Sequence, residues 1–286
     1  MKKIITLSLA LIMLAIKSFS QEDSSVVNAP VEHARNKVED TPVYIIKPAI
    51  DYPLTAVGTG WTLYAFTQIY SKDKSTEAQI NALRKDDIGK INRWAIRPYS
   101  EKADKDSYIP FYASMPMPIL FLLDKKMRRD FWKLNLLFLE TMSMTGIMYT
   151  GSVYLNDQYR PYAYHEDTPM DFRRRGGAKN SFYAGHVALV ATSTFFMAKT
   201  YADYHPESKL KYVFYGVAGA ATGLTAYGRY RGGLHFPTEI LLGMAQGTIT
   251  GILVPHFHKN KLLKKGDLKV VPFSGESHGL AAIYKF

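Results

Sequence analysis

Residues 228–255 of the chain read GRYRGGLHFPTEILLGMAQGTITGILVP, which joins a cluster of charged side chains to a long uncharged segment. Arg229, His235 and Glu239 lie in the first part, and residues 240–255 follow without any charge. A segment of this kind approaches the roughly 20 residues that cross a bilayer. The pattern predicts a membrane helix whose mouth holds ionisable side chains.

Apolar segments of similar length occur earlier in the chain. Their ranges are 54–70, 108–123, 134–155, 181–201 and 212–227. Frequent glycine and alanine in the last of them would allow helices to pack closely. We predict an all-α fold, a transmembrane bundle of about five to six helices. The alternative is a soluble all-helical domain in which these helices are buried.

The amino-acid composition indicates which kinds of binding partner to expect. Of the 286 residues, 47% are hydrophobic, yet the formal net charge is +11. Long apolar segments that alternate with charged loops are typical of membrane proteins. Because no nucleic-acid-binding motif accompanies the positive charge, we expect a membrane and anionic lipid or phosphate as partners, and no nucleic acid. The absence of cysteine excludes disulfides and thiolate metal sites.

Residues 1–20 have the pattern of an export signal. Lys2 and Lys3 precede an apolar run at 4–16, and the small residues Ser18 and Ser20 follow it. The pattern predicts a secretory signal peptide, with an uncleaved N-terminal anchor as the alternative. In either case the chain enters an export pathway.

The remaining chain divides into three predicted parts. Residues 21–107 form a polar lead segment with a marginal apolar segment and an amphipathic helix, 108–256 the membrane-embedded domain, and 257–286 a basic C-terminal tail. Alternating apolar residues at Leu280, Ala282 and Tyr284 predict a short terminal strand or an unstructured tail within the last part.

Three short clusters supply groups suited to one reaction. They are Arg160-Pro161, SFYAGH at 181–186 and GRYRGGLHFPTE at 228–239. Phosphoryl transfer needs cations that hold the phosphate oxygens, an in-line nucleophile and a proton donor for the leaving alkoxide. Two arginines and two histidines provide these groups, so the clusters together predict a phosphoryl-transfer site. Taken singly, each residue is more typical of a helix cap or a solvated loop than of a functional site.

The spacing within the clusters supports this chemistry. A histidine attacks phosphorus as neutral imidazole when an acid holds its other ring nitrogen. Glu239 follows His235 by one helical turn and is spaced for that task. Backbone amides around Gly185, at a predicted helix start, add donors for an anion.

The clusters resemble the motifs of the type 2 phosphatidic acid phosphatase superfamily, which are written K-x6-R-P, P-S-G-H and S-R-x5-H-x3-D. The similar residues are, in chain order, Arg160 and Pro161, then Gly185 and His186, then Arg229, His235 and Glu239. The resemblance covers about residues 130–256. It implies the helical core shared by these acid phosphatases and the vanadium haloperoxidases, with a membrane phosphatase domain over 108–256.

The resemblance also implies a role for each residue. His235 would be the nucleophile that forms a phosphohistidine, Glu239 would orient it, and His186 would protonate the leaving group. Arg160 and Arg229 would bind the phosphate oxygens. No metal and no cofactor are implied, and related haloperoxidases bind vanadate in place of phosphate.

The chain departs from these motifs at several positions. Val153 stands where the family has lysine, Tyr183-Ala184 replaces Pro-Ser, Gly228 replaces serine and Glu239 replaces aspartate. The missing lysine and serine remove two phosphate contacts, each worth about 1.5 to 3 kcal/mol if buried and charge-assisted. The cations that we expect to compensate are Arg174, Arg175 and Lys179, and a merely solvated loop is the alternative.

Loop charge predicts the orientation. Basic residues concentrate at 124–133, at 209–211 and after residue 255, and the positive-inside rule places all three in the cytoplasm. The loops at 156–180 and 228–235 then face the periplasm. We therefore predict a bacterial-type inner-membrane protein whose active site faces the periplasm.

The predicted function is metal-independent hydrolysis of a phosphate monoester or diphosphate on a membrane lipid. Isoprenoid diphosphate, phosphatidylglycerol phosphate and lipid A are the substrate types considered. One alternative is an exported acid phosphatase that acts on small soluble phosphates. Another is a non-catalytic lipid-phosphate-binding relative with a decayed site. The sequence makes no prediction about the oligomeric state.

Overall fold

A computed structural model describes residues 42–260 and the backbone of two strands at 268–274 and 278–284. The signal peptide or anchor predicted over residues 1–20 lies outside the described residues. The described residues from Val43 onward cluster as one compact unit.

Ten α-helices occur in the described residues. They are α1 Pro48–Tyr70, α2 Glu77–Asn81, α3 Lys90–Arg93, α4 Glu101–Ser114, α5 Lys125–Arg129, α6 Phe131–Tyr154, α7 Met170–Arg173, α8 Gly185–Tyr204, α9 Leu210–Arg231 and α10 Pro237–His258. Short 3-10 helices lie at Lys85–Asp87, Met117–Leu123, Pro161–Tyr164 and Gly176–Lys179. Strands β1 Leu268–Ser274 and β2 His278–Tyr284 pair antiparallel, with Leu268 opposite Tyr284.

Six of the helices have 14 residues or more, and these six form the bundle. Helix α1 packs along α6, α8 packs against α9 and α10, and α4 packs against α9. The predicted all-α bundle of five to six helices is confirmed. Helices α1 and α4 begin within the predicted lead segment, yet both pack against helices of the predicted membrane-embedded domain.

Helices α8 and α10 approach so closely that one face of α10 consists of glycine. A Cβ on Gly243 would lie 2.7 Å from the carbonyl oxygen of Ala184, and a Cβ on Gly251 would lie 2.6 Å from that of Thr192. A Cβ on Gly247, between them, would overlap the carbonyl of Ala188. Small residues at this spacing let helix backbones meet, as in membrane helix pairs. The contact holds the start of α8 against the start of α10.

A polar network inside the bundle joins α6, α8 and α10. Gln246 on α10 donates through Nε2 to Thr145 Oγ1 at 3.2 Å and to Thr250 Oγ1 at 2.8 Å. Its carbonyl oxygen accepts from the Tyr183 hydroxyl at 3.0 Å, and Thr145 Oγ1 lies 2.7 Å from Thr192 Oγ1. Hydrogen bonds of this kind fix the relative positions of helices that apolar packing alone would leave free to slide.

The segment before α4 differs from the expected amphipathic helix. It forms α2, a 3-10 turn and α3 instead, because Thr76 and Gln79 form a capping box that starts a separate helix. Ile80 is buried but Ile91 and Trp94 are 65% and 62% exposed, so the apolar residues do not share one buried face.

The next apolar segment, predicted at 108–123, is also interrupted. Helix α4 covers its first half and Met117–Leu123 is a 3-10 helix. Pro116 and Pro118 explain the break, because proline lacks an amide hydrogen and disfavours helical backbone in the residue before it.

Several helices expose apolar side chains. Within the described residues, α10 is the one helix that is long and apolar enough to cross a membrane by length and composition. Exposed apolar residues on α9 and α10 are Leu210, Tyr212, Val213, Val217, Leu224, Tyr227, Leu241, Leu242, Ile249, Leu253 and Phe257. A surface with this much apolar area is typical of a face that contacts lipid or another chain.

Candidate active site

One end of the bundle, here called the mouth, brings the three sequence clusters together. Helices α6 and α9 end there, and α8 and α10 begin there. Backbone hydrogen bonds join the intervening loops: Tyr162 donates to the Gly233 carbonyl at 3.0 Å, and Ser181 donates to the Gln158 carbonyl at 3.1 Å. Gly233 has a φ of 66°, which only glycine adopts without strain, and this turn places His235 beside the second cluster.

His235 is buried with a defined ring orientation. Its Nδ1 lies 2.7 Å from the backbone carbonyl oxygen of Ser181 and 3.4 Å from Glu239 Oε2. Because a carbonyl oxygen only accepts, Nδ1 carries the hydrogen and the neutral ring keeps its lone pair on Nε2. The Nε2 atom is therefore the nucleophilic one.

The surroundings of His235 favour the neutral ring. Burial lowers the pKa of His235 well below its usual value, and the positive charges of Arg160 and Arg229 lower it further. The backbone hydrogen bond to Ser181 opposes this shift but does not reverse it. A histidine in this state stays unprotonated at neutral pH, as nucleophilic attack requires.

Glu239 forms a hydrogen bond that joins the second and third sequence clusters. Its Oε2 accepts from Ser181 Oγ at 2.8 Å and from the Phe236 amide at 2.9 Å, at the start of α10. The side chain is 1% exposed, so the carboxylate is fixed. Sequence spacing predicted that Glu239 orients His235; the structure places the Ser181 carbonyl nearer to the ring nitrogen and Glu239 slightly further away.

Arg229 is the most deeply held cation at the mouth. It is 1% exposed, and its NH1 lies 2.6 Å from Asp104 Oδ1 and 3.3 Å from Ser107 Oγ. Its Nε has no hydrogen-bond partner among the described residues. A buried donor without a partner is costly and marks a position where an anion would be bound.

Arg160 is anchored by the loop that precedes α8. Its Nε donates to the Gly177 carbonyl at 3.0 Å, and its backbone amide donates to the Ala178 carbonyl at 2.8 Å. Only the first bond involves the guanidinium group, so its terminal nitrogens have no hydrogen-bond partner among the described residues and are available to an anion.

His186 lies at the start of α8 against aromatic rings. Its ring centroid is 4.7 Å from that of Tyr108 and 4.8 Å from that of Phe111, both on α4. The ring of Tyr149 covers Gly185 so closely that a Cβ there would overlap it. The second cluster therefore needs glycine before its histidine.

Helix α4 contributes residues that the sequence analysis did not assign to the site. Asp104, Ser107, Tyr108 and Phe111 recur at helical spacing and contact Arg229 or His186. The spacing marks one helix face. No local motif connects that face to Arg229, so only the fold reveals the contact.

The three expected compensating cations lie in the loop before α8. Arg174 donates to the Ser75 carbonyl at 2.8 Å and pairs with Glu77 at 3.2 Å. Arg175 lies over the Phe172 ring at 4.0 Å, and Lys179 is 3.8 Å from Asp157 Oδ2. The contacts of these side chains are thus with the loop and the α1–α2 segment. Their compensating role stays a prediction.

The positions that depart from the motifs are buried. Val153 packs in an apolar cluster with Ile69, Tyr149 and Tyr183. Its carbonyl oxygen accepts from Lys72 Nζ at 2.8 Å, and the same ammonium reaches the Asn156 carbonyl and Asp157 Oδ1. A lysine is therefore present at this level of the bundle, but it comes from the end of α1 and caps the end of α6.

A group of three potential metal ligands lies at the opposite end of the bundle, on α1, α6 and α10.

Comparison with known proteins finds one family model that matches part of the chain. Residues 134–263 match the model of the PAP2 superfamily. No curated protein matches the chain.

Two solved structures are similar to this chain. One is a transmembrane PAP2-type phosphatidylglycerolphosphate phosphatase from Bacillus subtilis, with 19% identity and a TM-score of 0.42, and the match covers 74% of this chain and 98% of that one. The other is LpxE from Aquifex aeolicus, with 19% identity and a TM-score of 0.39, covering 57% and 90%.

The segment matched by the family model contains the arginines, both histidines and the glutamate of the mouth. The resemblance read from three short motifs is thereby confirmed over a much longer segment. Residues 134–263 are thus similar to the PAP2 superfamily.

Proposed function

We propose that the protein hydrolyses a phosphate monoester or diphosphate on a membrane lipid, with His235 as the nucleophile. The observation that carries the proposal is the orientation of the buried His235 ring, whose Nδ1 is held by the Ser181 carbonyl at 2.7 Å. A ring held in this way directs Nε2 to an electrophile. The PAP2 family match supports a phosphatase.

The first chemical step forms a phosphohistidine. Arg160 and Arg229 hold the phosphate oxygens and neutralise the charge that develops on them. Nε2 of His235 attacks phosphorus and the bond to the lipid oxygen breaks. His186, which takes up a proton when the anionic phosphate is bound beside it, gives that proton to the leaving alkoxide. The lipid product departs with that proton.

The second step restores the enzyme. A water molecule attacks the phosphorus of the phosphohistidine and gives its proton to His186, which is now neutral. The nitrogen–phosphorus bond breaks, and inorganic phosphate leaves. Both histidines return to their starting protonation states, and one water is consumed for each phosphate released.

The surface of the bundle supports a lipid rather than a small soluble substrate. Helices α9 and α10, which flank the turn that bears His235, expose apolar side chains such as Val217, Leu224 and Ile249. A lipid that lies against these helices reaches the mouth with its head group while its chains stay in the membrane. The family match and the apolar helix α10 support membrane location.

The predicted orientation is compatible with this arrangement. Three basic segments lie at the end opposite the mouth: 124–133, 209–211 and the residues after α10. Contacts of the residues just before 209–211 join them, because His205 Nε2 lies 2.8 Å from Asp124 Oδ2 and Lys259 Nζ lies 2.7 Å from Asp203 Oδ1. If that end is cytoplasmic by the positive-inside rule, the mouth faces the periplasm.

The test is phosphate release from purified full-length protein in detergent. Substrates would be lipid monophosphates, lipid diphosphates and p-nitrophenyl phosphate, and rapid base quenching would preserve any phosphohistidine for detection. We expect turnover of a lipid phosphate and a labelled, acid-labile enzyme intermediate. Equal efficiency on p-nitrophenyl phosphate would favour the soluble-phosphatase alternative, and binding of lipid phosphate without turnover would favour the non-catalytic one.

A further inference from the structure

Asp51, Glu140 and His258 meet inside the bundle at the end opposite the mouth. They come from α1, α6 and α10, and one potential ligand atom of each lies within 4.8 Å of the others. His258 Nε2 is 3.4 Å from Asp51 Oδ2 and 3.6 Å from Glu140 Oε2. We refer to these residues as the three-helix cluster.

The carboxylates of this cluster are buried and incompletely paired. Asp51 and Glu140 are each 3% exposed. Glu140 Oε2 has no hydrogen-bond partner among the described residues, although it points to His258. An ionised carboxylate without a donor is costly in a protein interior, so this group is stabilised either by a proton or by a cation bound beside it.

The imidazole of His258 is oriented as a ligand. Its Nδ1 lies 2.8 Å from the backbone carbonyl oxygen of Val254, one turn earlier on α10. The hydrogen therefore sits on Nδ1, and the lone pair of the neutral ring on Nε2 points at the two carboxylates. Metal-binding histidines are commonly fixed by the same kind of hydrogen bond.

The second carboxylate is fixed as well. Asp51 Oδ2 accepts from the backbone amide of Lys47 at 2.6 Å, just before α1 begins. This bond positions the carboxylate while leaving a further lone pair for another partner. Asp51 is thus held by a backbone amide, and Glu140 is held by burial.

We propose that the three-helix cluster binds one divalent transition-metal ion, with Zn²⁺ as the best-fitting ion. Nitrogen and oxygen ligands at about 2.1 Å in tetrahedral geometry lie about 3.4 Å apart, close to the two separations that involve His258. One imidazole and two carboxylates suit Zn²⁺ or Mn²⁺, whereas Mg²⁺ and Ca²⁺ prefer oxygen ligands alone. A water molecule would complete the coordination.

This ion would be structural and separate from the reaction. Glu140 precedes Val153, near the mouth, by thirteen residues on α6, which corresponds to about 20 Å along a helix axis. The ion would instead join α1 to α6 and α10 and so fasten the first helix to the PAP2 domain. The sequence analysis predicted no metal, because the three ligands lie far apart in the chain and share no motif.

The test uses tag-free, full-length protein in detergent, stripped with a chelator and then dialysed against Zn²⁺. We expect about one Zn²⁺ per chain by elemental analysis and a Tm that rises on Zn²⁺ addition. Glu140→Gln should weaken Zn²⁺ binding about 100-fold or more and abolish the rise in Tm. His256→Gln is the matched control, because His256 lies on the same helix turn but is exposed.

A second measurement keeps the proposal falsifiable if the Glu140 variant does not fold. Co²⁺ added to the stripped wild-type protein should give the visible absorption of a low-symmetry, four- or five-coordinate site, and Zn²⁺ should displace it. Retention of Zn²⁺ by Glu140→Gln to the same extent as by His256→Gln would overturn the proposal. So would a wild-type protein whose Tm is indifferent to Zn²⁺ and whose Co²⁺ spectrum is that of free Co²⁺.

Discussion

The two ends of the bundle both contain buried ionisable groups, but the partners differ in kind. At the mouth, carboxylates are bound by protein donors: Asp104 by Arg229, and Glu239 Oε2 by Ser181 and the Phe236 amide. One carboxylate oxygen at each end, Glu239 Oε1 at the mouth and Glu140 Oε2 in the three-helix cluster, has no hydrogen-bond partner among the described residues. The difference is in the neighbours, because buried arginines lie at the mouth whereas the three-helix cluster groups two carboxylates with one histidine. The mouth therefore has cationic donors available for an anion, and the other end has an acceptor available for a cation. A buried histidine alone would not distinguish these two functions; its neighbours do.

The strongest test of this contrast is His235→Asn. Loss of the nucleophile should reduce kcat/KM by about 10⁴-fold or more, because no other described group at the mouth has a nucleophilic nitrogen held in the same way. His165→Gln, at a partly buried position in the neighbouring loop, should be near normal. Since the two ends are independent in our interpretation, Zn²⁺ binding should be unchanged in His235→Asn. Near-normal turnover in this variant would exclude His235 as the nucleophile.

Asp104→Asn should have the next largest effect. The substitution keeps the size of the side chain but removes the charge that holds Arg229 at 2.6 Å, so the guanidinium group should lose its fixed position. We expect kcat/KM to fall about 10- to 100-fold, mostly through kcat, with KM little changed. Asp106→Asn is the control, because Asp106 is exposed on the same helix and pairs with Lys102. Equal activity of the two variants would show that α4 does not position Arg229.

Val153→Lys tests whether the missing family lysine can be restored. Motif comparison alone predicts that restoring lysine, together with Ala184→Ser, raises activity about tenfold for each 1.4 kcal/mol recovered. The structure favours the opposite result for the lysine: Val153 is fully buried in an apolar cluster, and the Lys72 ammonium already lies at its carbonyl. A second ammonium there should lower the free energy of unfolding by about 2 to 4 kcal/mol and reduce turnover severalfold.

Val153→Met separates charge from volume in that experiment. Methionine has a similar length to lysine and adapts to irregular apolar space, so it should be clearly less destabilising than lysine. Higher turnover in Val153→Lys than in the wild-type protein would show that the ammonium reaches the phosphate and that the wild-type site is merely incomplete.

These contrasts also show which features of the site could be predicted from the sequence alone. Arg229, His235 and Glu239 lie within one short segment that joins α9 to α10, so they cannot lie far apart and their grouping was predictable. Asp104 and Arg229 are 125 residues apart, and Lys72 and Val153 are 81 apart. Contacts over such separations depend on how whole helices pack. The sequence analysis therefore predicted which candidate site residues group together, but not the α4 face that contacts Arg229.

The broken helices before residue 124 have a different cause. Apolar residues at Ile80, Ile91 and Trp94 have helical spacing, but a capping box at Thr76 starts a separate short helix there. Periodicity predicted one continuous helix because it records only which residues are apolar. The caps and prolines that end helices were present in the sequence and indicate the actual boundaries.

The smallest expected effect is a shift in the pH dependence of Arg160→Gln. Burial lowers the pKa of His235 first, and Arg160 and Arg229 lower it further, so the acid limb of kcat/KM in the wild-type protein should lie well below the usual histidine value of about 6.5. Removing the Arg160 charge should raise the pKa of His235 and move that limb to higher pH, besides lowering the rate at every pH. Arg84→Gln, at an exposed position, should leave the limb unchanged.

The pH dependence of the free energy of unfolding is an independent measure of the same shift in the pKa of His235. Because the pKa of His235 is lower in the folded than in the unfolded chain, its contribution to stability is complete above the unfolded pKa. As pH falls below about 6.5, the unfolded chain binds a proton that folded His235 does not, and the free energy of unfolding decreases. The decrease in the free energy of unfolding should be smaller in Arg160→Gln than in the wild-type protein. In His235→Asn the part of the decrease that comes from His235 should be absent. If Arg160→Gln and the wild-type protein have the acid limb at the same pH and lose the same stability as pH falls, Arg160 does not lower the pKa of His235. The first sequence cluster would then have no electrostatic effect on the nucleophile.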